Sequence, residues 1–140
     1  MVTDLTMPKS LSFTLKLMDG GMIIYWAIMA TACMGLIILP RDIMYAGYGS
    51  TIMDVWNWSF VPLDLAFSIL GLASVRLAQK GDARWLPMAL LSLALTFCAG
   101  LMAVSFWMLT GYFDISWWLP NLLLMSVAMW WLPRLILRQK

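Results

Sequence analysis

One carboxylate stands inside a long apolar run: Asp64, in Trp58-Ser59-Phe60-Val61-Pro62-Leu63-Asp64. A lone acid in hydrocarbon costs ~2.5–3.5 kcal/mol on insertion scales. It must find a hydrogen-bond partner, reach water or carry a proton. Such a group suits general acid or base chemistry, which makes Asp64 the candidate catalytic residue. Asp64 precedes Arg76 by twelve residues, or ~18 Å along a helix. Asn121 precedes Arg134 by thirteen, or ~20 Å. The two match in height, and each follows a proline, Pro62 or Pro120. Proline frees backbone carbonyls that then want donors. The Asn121 amide is expected to serve either Asp64 or such a carbonyl.

Asn57, Ser59 and Ser105 lie above this level, among Trp56, Trp58, Trp107, Trp117 and Trp118. The expectation is a cavity open to the outer leaflet, aromatic-walled, with Asp64 at its floor. The candidate ligand-binding residues are Asn57, Trp58, Asp64, Ser105, Trp107, Trp118 and Asn121. The ligand would be amphipathic and lipid- or isoprenoid-like. The plainer alternative is an Asp64–Asn121 hydrogen bond that fixes helix register, inside a belt of interfacial tryptophans.

Other chemistry is thin. The chain has no histidine and no glutamate, and all seven acids are aspartates. Histidine-based metal, haem and general-base chemistry is excluded. No cofactor and no metal are expected. Cys33 and Cys98 lack redox-motif spacing and are read as buried, unpaired thiols. The 13 methionines are read as filling gaps in the interior. A net charge of +2 leaves no nucleic-acid footprint.

The elements that must position these residues are membrane helices. Hydrophobic residues make up 63% of the chain and charged residues 11%, against ~25% charged in soluble domains. The 140 residues form one domain, with transmembrane spans expected at about 20–39, 55–75, 86–109 and 115–133. Short loops make sequence neighbours antiparallel neighbours, giving an all-α integral membrane four-helix bundle. Eight of nine basic residues fall on one side: Lys9, Lys16, Arg76, Lys80, Arg84, Arg134, Arg138 and Lys140. The other side holds Arg41, with Asp42, Asp54 and Asp114. Both termini are therefore expected in the cytoplasm.

Small residues recur at four-residue spacing as Ala27, Thr31 and Gly35, and again as Ser92, Thr96 and Gly100. Both stripes are expected at helix contacts. Asp19 begins the first expected span and is read as a headgroup-level residue, solvated or paired with Lys16. No cleavage is expected near Ala30-Thr31-Ala32-Cys33, because the apolar run continues through Leu39.

Several segments carry a family resemblance. They are Asp19-Gly20-Gly21 with Tyr25-Trp26; Trp56-Asn57-Trp58-Ser59-Phe60 with Pro62-Leu63-Asp64-Leu65; Leu95-Thr96-Phe97-Cys98-Ala99-Gly100-Leu101; and Trp117-Trp118-Leu119-Pro120-Asn121-Leu122. Over roughly residues 17–124 the chain resembles the YvaD-like family of small bacterial four-span membrane proteins. The resemblance implies four spans in a bacterial cytoplasmic membrane. It brings no mechanism.

Three functions stay open at this point. The first is binding of a lipid-like ligand or a membrane partner, in a monomer or a homo-oligomer. The second is an enzyme acting on a lipid or isoprenoid, with Asp64 as acid or base. The third is a small transporter or proton pathway, hinted at by the related Pro-x-Asp and Pro-Asn of spans two and four. A single deep acid makes a poor relay.

Overall fold

The computed structural model describes residues 6–138. Lys140, counted with the basic side, lies outside them, as does the side chain of Asp42. The described residues are helical, without strands: α1 (Lys9–Cys33), a 3-10 turn (Arg41–Ile43), α2 (Thr51–Ser59), α3 (Val61–Gln79), α4 (Trp85–Thr110) and α5 (Ile115–Leu137). α2 and α3 are nearly continuous, so four rods are long and apolar enough to cross a bilayer. The break between them has a local cause: Pro62, in the first turn of α3, has no N–H for the carbonyl of Trp58. Large apolar side chains such as Ile38, Ile52 and Leu109 are more than three-quarters exposed. In water that surface would be a liability; in lipid it is the normal exterior.

α1 packs on α3, α3 on α4 and α4 on α5. Among the described residues, α1 and α5 share no extensive backbone contact. Their side chains do meet at the end that carries Lys9, Arg76, Arg84 and Arg134. There Leu11, Leu15, Val75, Trp85, Leu93 and Leu135 form the main core. At the opposite end a smaller cluster joins Trp26, Met29 and Tyr45, with Trp58 and Trp117 against it.

Four expectations are corrected. The first helix occupies Lys9–Cys33 rather than 20–39. It stops at Gly35, which takes φ +72°, while Gly35 N–H donates to Ala32 O and Leu36 N–H to Thr31 O. That pair of bonds caps the helix in a left-handed turn, which costs glycine little. Ala27, inside α1, and Gly35, past its end, are both exposed, so the first small-residue stripe is not a helix contact. Asp19 sits mid-helix and is 2% exposed, neither solvated nor paired with Lys16. Cys33 and Cys98 are free but exposed rather than buried.

The second stripe does lie in contacts. Ser92, Thr96 and Gly100 are all buried. Ser92 Oγ donates to Phe67 O of α3 at 2.8 Å. A β-carbon at Gly100 would stand 2.7 Å from Asn121 O of α5. One stripe thus seats α4 against both neighbours.

Candidate functional site

The gap between α1 and α5 is a cavity of about 390 Å³. Met22, Tyr25 and Trp26 of α1 form one wall, and Trp117, Asn121 and Leu124 of α5 the other. Asn57, Phe60, Asp64 and Ala103 close the back, and Met44 and Tyr45 cover it from the loop after α1. The volume lies within the ~300–1,000 Å³ usual for ligand pockets.

Asp64 lines the cavity and is 6% exposed. Its Oδ2 accepts from Trp26 Nε1 at 3.0 Å. Trp26 is held for this by its neighbours. Tyr25 meets its ring edge-on at 5.1 Å, and Trp58 packs on it at 5.5 Å. Asn57, 2% exposed, also lines the cavity, and its Nδ2 donor is buried without a partner. Asn57, which keeps an unpartnered buried amide donor, and Asp64 thus line one aromatic-walled cavity.

Asn121 does not bond to Asp64. Its Nδ2 donates to Trp117 O, one turn earlier in α5, at 2.8 Å. It therefore takes neither expected role: the carbonyl that Pro120 frees belongs to Ser116, one residue earlier. Asp64 and Asn121 line the same cavity from different elements.

The structure thus brings Asn57, Asp64 and Asn121 together and leaves Trp58, Ser105, Trp107 and Trp118 outside the lining. Trp58 supports Trp26 from behind. Ser105 is half-buried on α4. Trp107 is buried between Phe106, Tyr112 and Trp117. Trp118 Nε1 reaches Tyr112 O at 3.3 Å. The tryptophans that do line the cavity are Trp26 and Trp117. Among the described residues no group of three acidic or thiol side chains could hold a metal.

Sequence reasoning missed Trp26 as the partner of Asp64. A signal existed. Asp19 and Trp26 are seven residues apart on α1, as are Asp64 and Gly71 on α3, and seven residues is about two turns. Antiparallel packing then sets Trp26 opposite Asp64 and Asp19 opposite Gly71.

Fold and site together define a small all-α protein with four bilayer-length helices and a polar-floored cavity between the first and last. Residues 11–140 match the model of a family of unknown function (DUF5360), and the chain belongs to that family. It is 42% identical over 103 residues to Uncharacterized protein YvaD of Bacillus subtilis (strain 168), covering 74% of each chain. The resemblance drawn from the sequence motifs is thereby confirmed. No solved structure matches.

Proposed function

We propose that this protein binds an amphipathic, lipid- or isoprenoid-like molecule in the cavity between α1 and α5. It does so in a bacterial cytoplasmic membrane, with both termini on the cytoplasmic side. The observation that carries the reading is that Asn57, with an unpartnered buried amide donor, and Asp64 line one aromatic-walled cavity with Met22, Trp26 and Trp117. The apolar body lies against Met22, Trp26 and Trp117. The head group offers an acceptor to Asn57 and a donor to Asp64. The absence of extensive backbone contact between α1 and α5 supports entry from the side, through the bilayer. Within this lining Asp64 is the single carboxyl, which favours binding over acid–base turnover by a carboxyl pair.

The test is extraction of the purified protein and mass spectrometry of what copurifies. Wild type is expected to carry a defined lipid-like species. Ala103→Phe, which fills the cavity from α4, and Asn57→Leu, which removes the donor, are expected to lose it while keeping their helical content. The same lipid complement in all three proteins would refute the reading.

A further inference from the structure

The seam between α1 and α3 holds a second buried carboxyl that the cavity does not use. Asp19 Oδ2 is buried without a hydrogen-bond partner. It packs directly over Gly71: a β-carbon there would collide with Oδ2 and stand 2.9 Å from Ser92 Oγ of α4. Oδ2 and Ser92 Oγ therefore border the same small space. The hydrogen of Ser92 is already committed, since its hydroxyl donates to Phe67 O at 2.8 Å. A hydroxyl has one proton to give, so Ser92 turns lone pairs toward Asp19. Ser74 likewise donates its hydroxyl to Gly71 O at 2.7 Å. Ser68, three residues before Gly71 and on the same helix face, is fully buried with its hydroxyl unpartnered.

Among the described residues no counter-charge pairs with Asp19. Lys16, the basic residue nearest in sequence, is exposed. The residues that α3 and α4 set beside Asp19 (Gly71 and Ser92) are uncharged, and Asp64, two turns along α3, is engaged by Trp26. Among the described residues the one ion pair is Arg84–Asp82, in the turn before α4. A bare carboxylate facing lone pairs in an apolar interior is unfavourable on both counts, desolvation and repulsion. The shared space calls for one positive charge.

We propose that Asp19, with the hydroxyl oxygen of Ser92, binds a single small monovalent cation, a proton or a sodium ion, within the α1–α3–α4 seam. A proton on Oδ2 yields a neutral carboxylic acid whose O–H donates to the Ser92 oxygen. A sodium ion is a hard cation and takes oxygen ligands of this kind. Either one removes the clash of acceptors. The site does not depend on what occupies the cavity. It is tied to it mechanically, because Asp19 on Gly71 and Trp26 on Asp64 are two rungs of one helix pair.

The experiment uses the full chain in phospholipid vesicles. Infrared spectroscopy reads protonated carboxyls, and melting temperature is compared in sodium chloride and choline chloride. Asp19→Asn supplies a permanent donor to Ser92 and is expected to fold. For a proton, wild type shows a protonated-carboxyl stretch at neutral pH that Asp19→Asn lacks and Asp64→Asn keeps. For sodium, the melting temperature of wild type rises by several degrees in sodium chloride, and that of Asp19→Asn does not. Ser92→Ala, which removes the facing oxygen, is expected to shift the stretch or weaken the sodium response, so the assignment does not rest on one variant. A wild-type protein with neither an Asp19 carboxyl stretch nor a sodium response overturns the proposal.

Discussion

At the scale of single residues, the cavity floor depends on one indole. Trp26 is 5% exposed and gives its N–H to a carboxylate that is itself buried. Trp26→Phe keeps an aromatic ring in place but leaves Asp64 without that donor. An orphaned buried acceptor costs about 1–3 kcal/mol, and more when charged. The variant is expected to lose at least that much stability in thermal or detergent unfolding. Combining it with Asp64→Leu should cost less than the sum of the two, because the second change removes the orphan. Strictly additive losses would mean that the bond contributes nothing. Asp64 is buried, as an acid inside an apolar run must be, but its partner Trp26 was missed. Asn121 matches Asp64 in height, but the packing order places α4 between α3 and α5. Equal height in two helices of the same direction does not bring their side chains together.

At the scale of elements, turns and close approaches set the boundaries. Hydropathy carried the first span to Leu39, whereas Gly35 ends the helix in a left-handed cap, and the start lies at Lys9. The shift of register moves Asp19 from the headgroups into the α1–α3 seam. The turn between α3 and α4 is tied by charge. Arg84 grips Asp82 with its guanidinium, at 2.7 Å from Nη2, and these bonds hold the Asp82 carboxyl down to about 2. In the loop before α2, Tyr45 donates to Asp54 Oδ1 at 2.7 Å, and burial with that bond pushes the phenol well above its usual range. Between α4 and α5 the decisive residue is Gly100, where a β-carbon would also stand 2.8 Å from Met125 Cγ. Gly100→Leu is expected to force the helices apart, at a cost of about 1–3 kcal/mol or more. Unfolding in a graded detergent series reads the loss. A wild-type midpoint would show that the seam yields freely.

At the scale of the whole molecule, the described basic residues other than Arg41 lie toward the end where α1 starts and α5 finishes, beside the main core. The cavity lies toward the opposite end, beside Tyr45 and Trp117. With Cys33 and Cys98 replaced by serine, Ser50→Cys and Phe113→Cys are expected to react with a membrane-impermeant maleimide on intact cells. Ser10→Cys and Gln79→Cys are expected to react only once the membrane is opened. The reverse pattern would invert the orientation and place the cavity toward the cytoplasm.

Composition and the length of the apolar runs determined, without any structure, that this chain is four bilayer-length helices. The reason is that solvent demands act on each helix separately: hydrocarbon requires about twenty apolar residues whatever the neighbours do. The second small-residue stripe was legible for the same reason, being periodic within one helix. Tertiary structure alone decided which polar groups meet. Asp64 meets Trp26, Asp19 rests on Gly71, and Asn121 turns back to its own helix. These outcomes depend on the order and rotation of helices around one another. Hydropathy is blind to both, because it counts residues along a rod and not the faces that rods turn to each other.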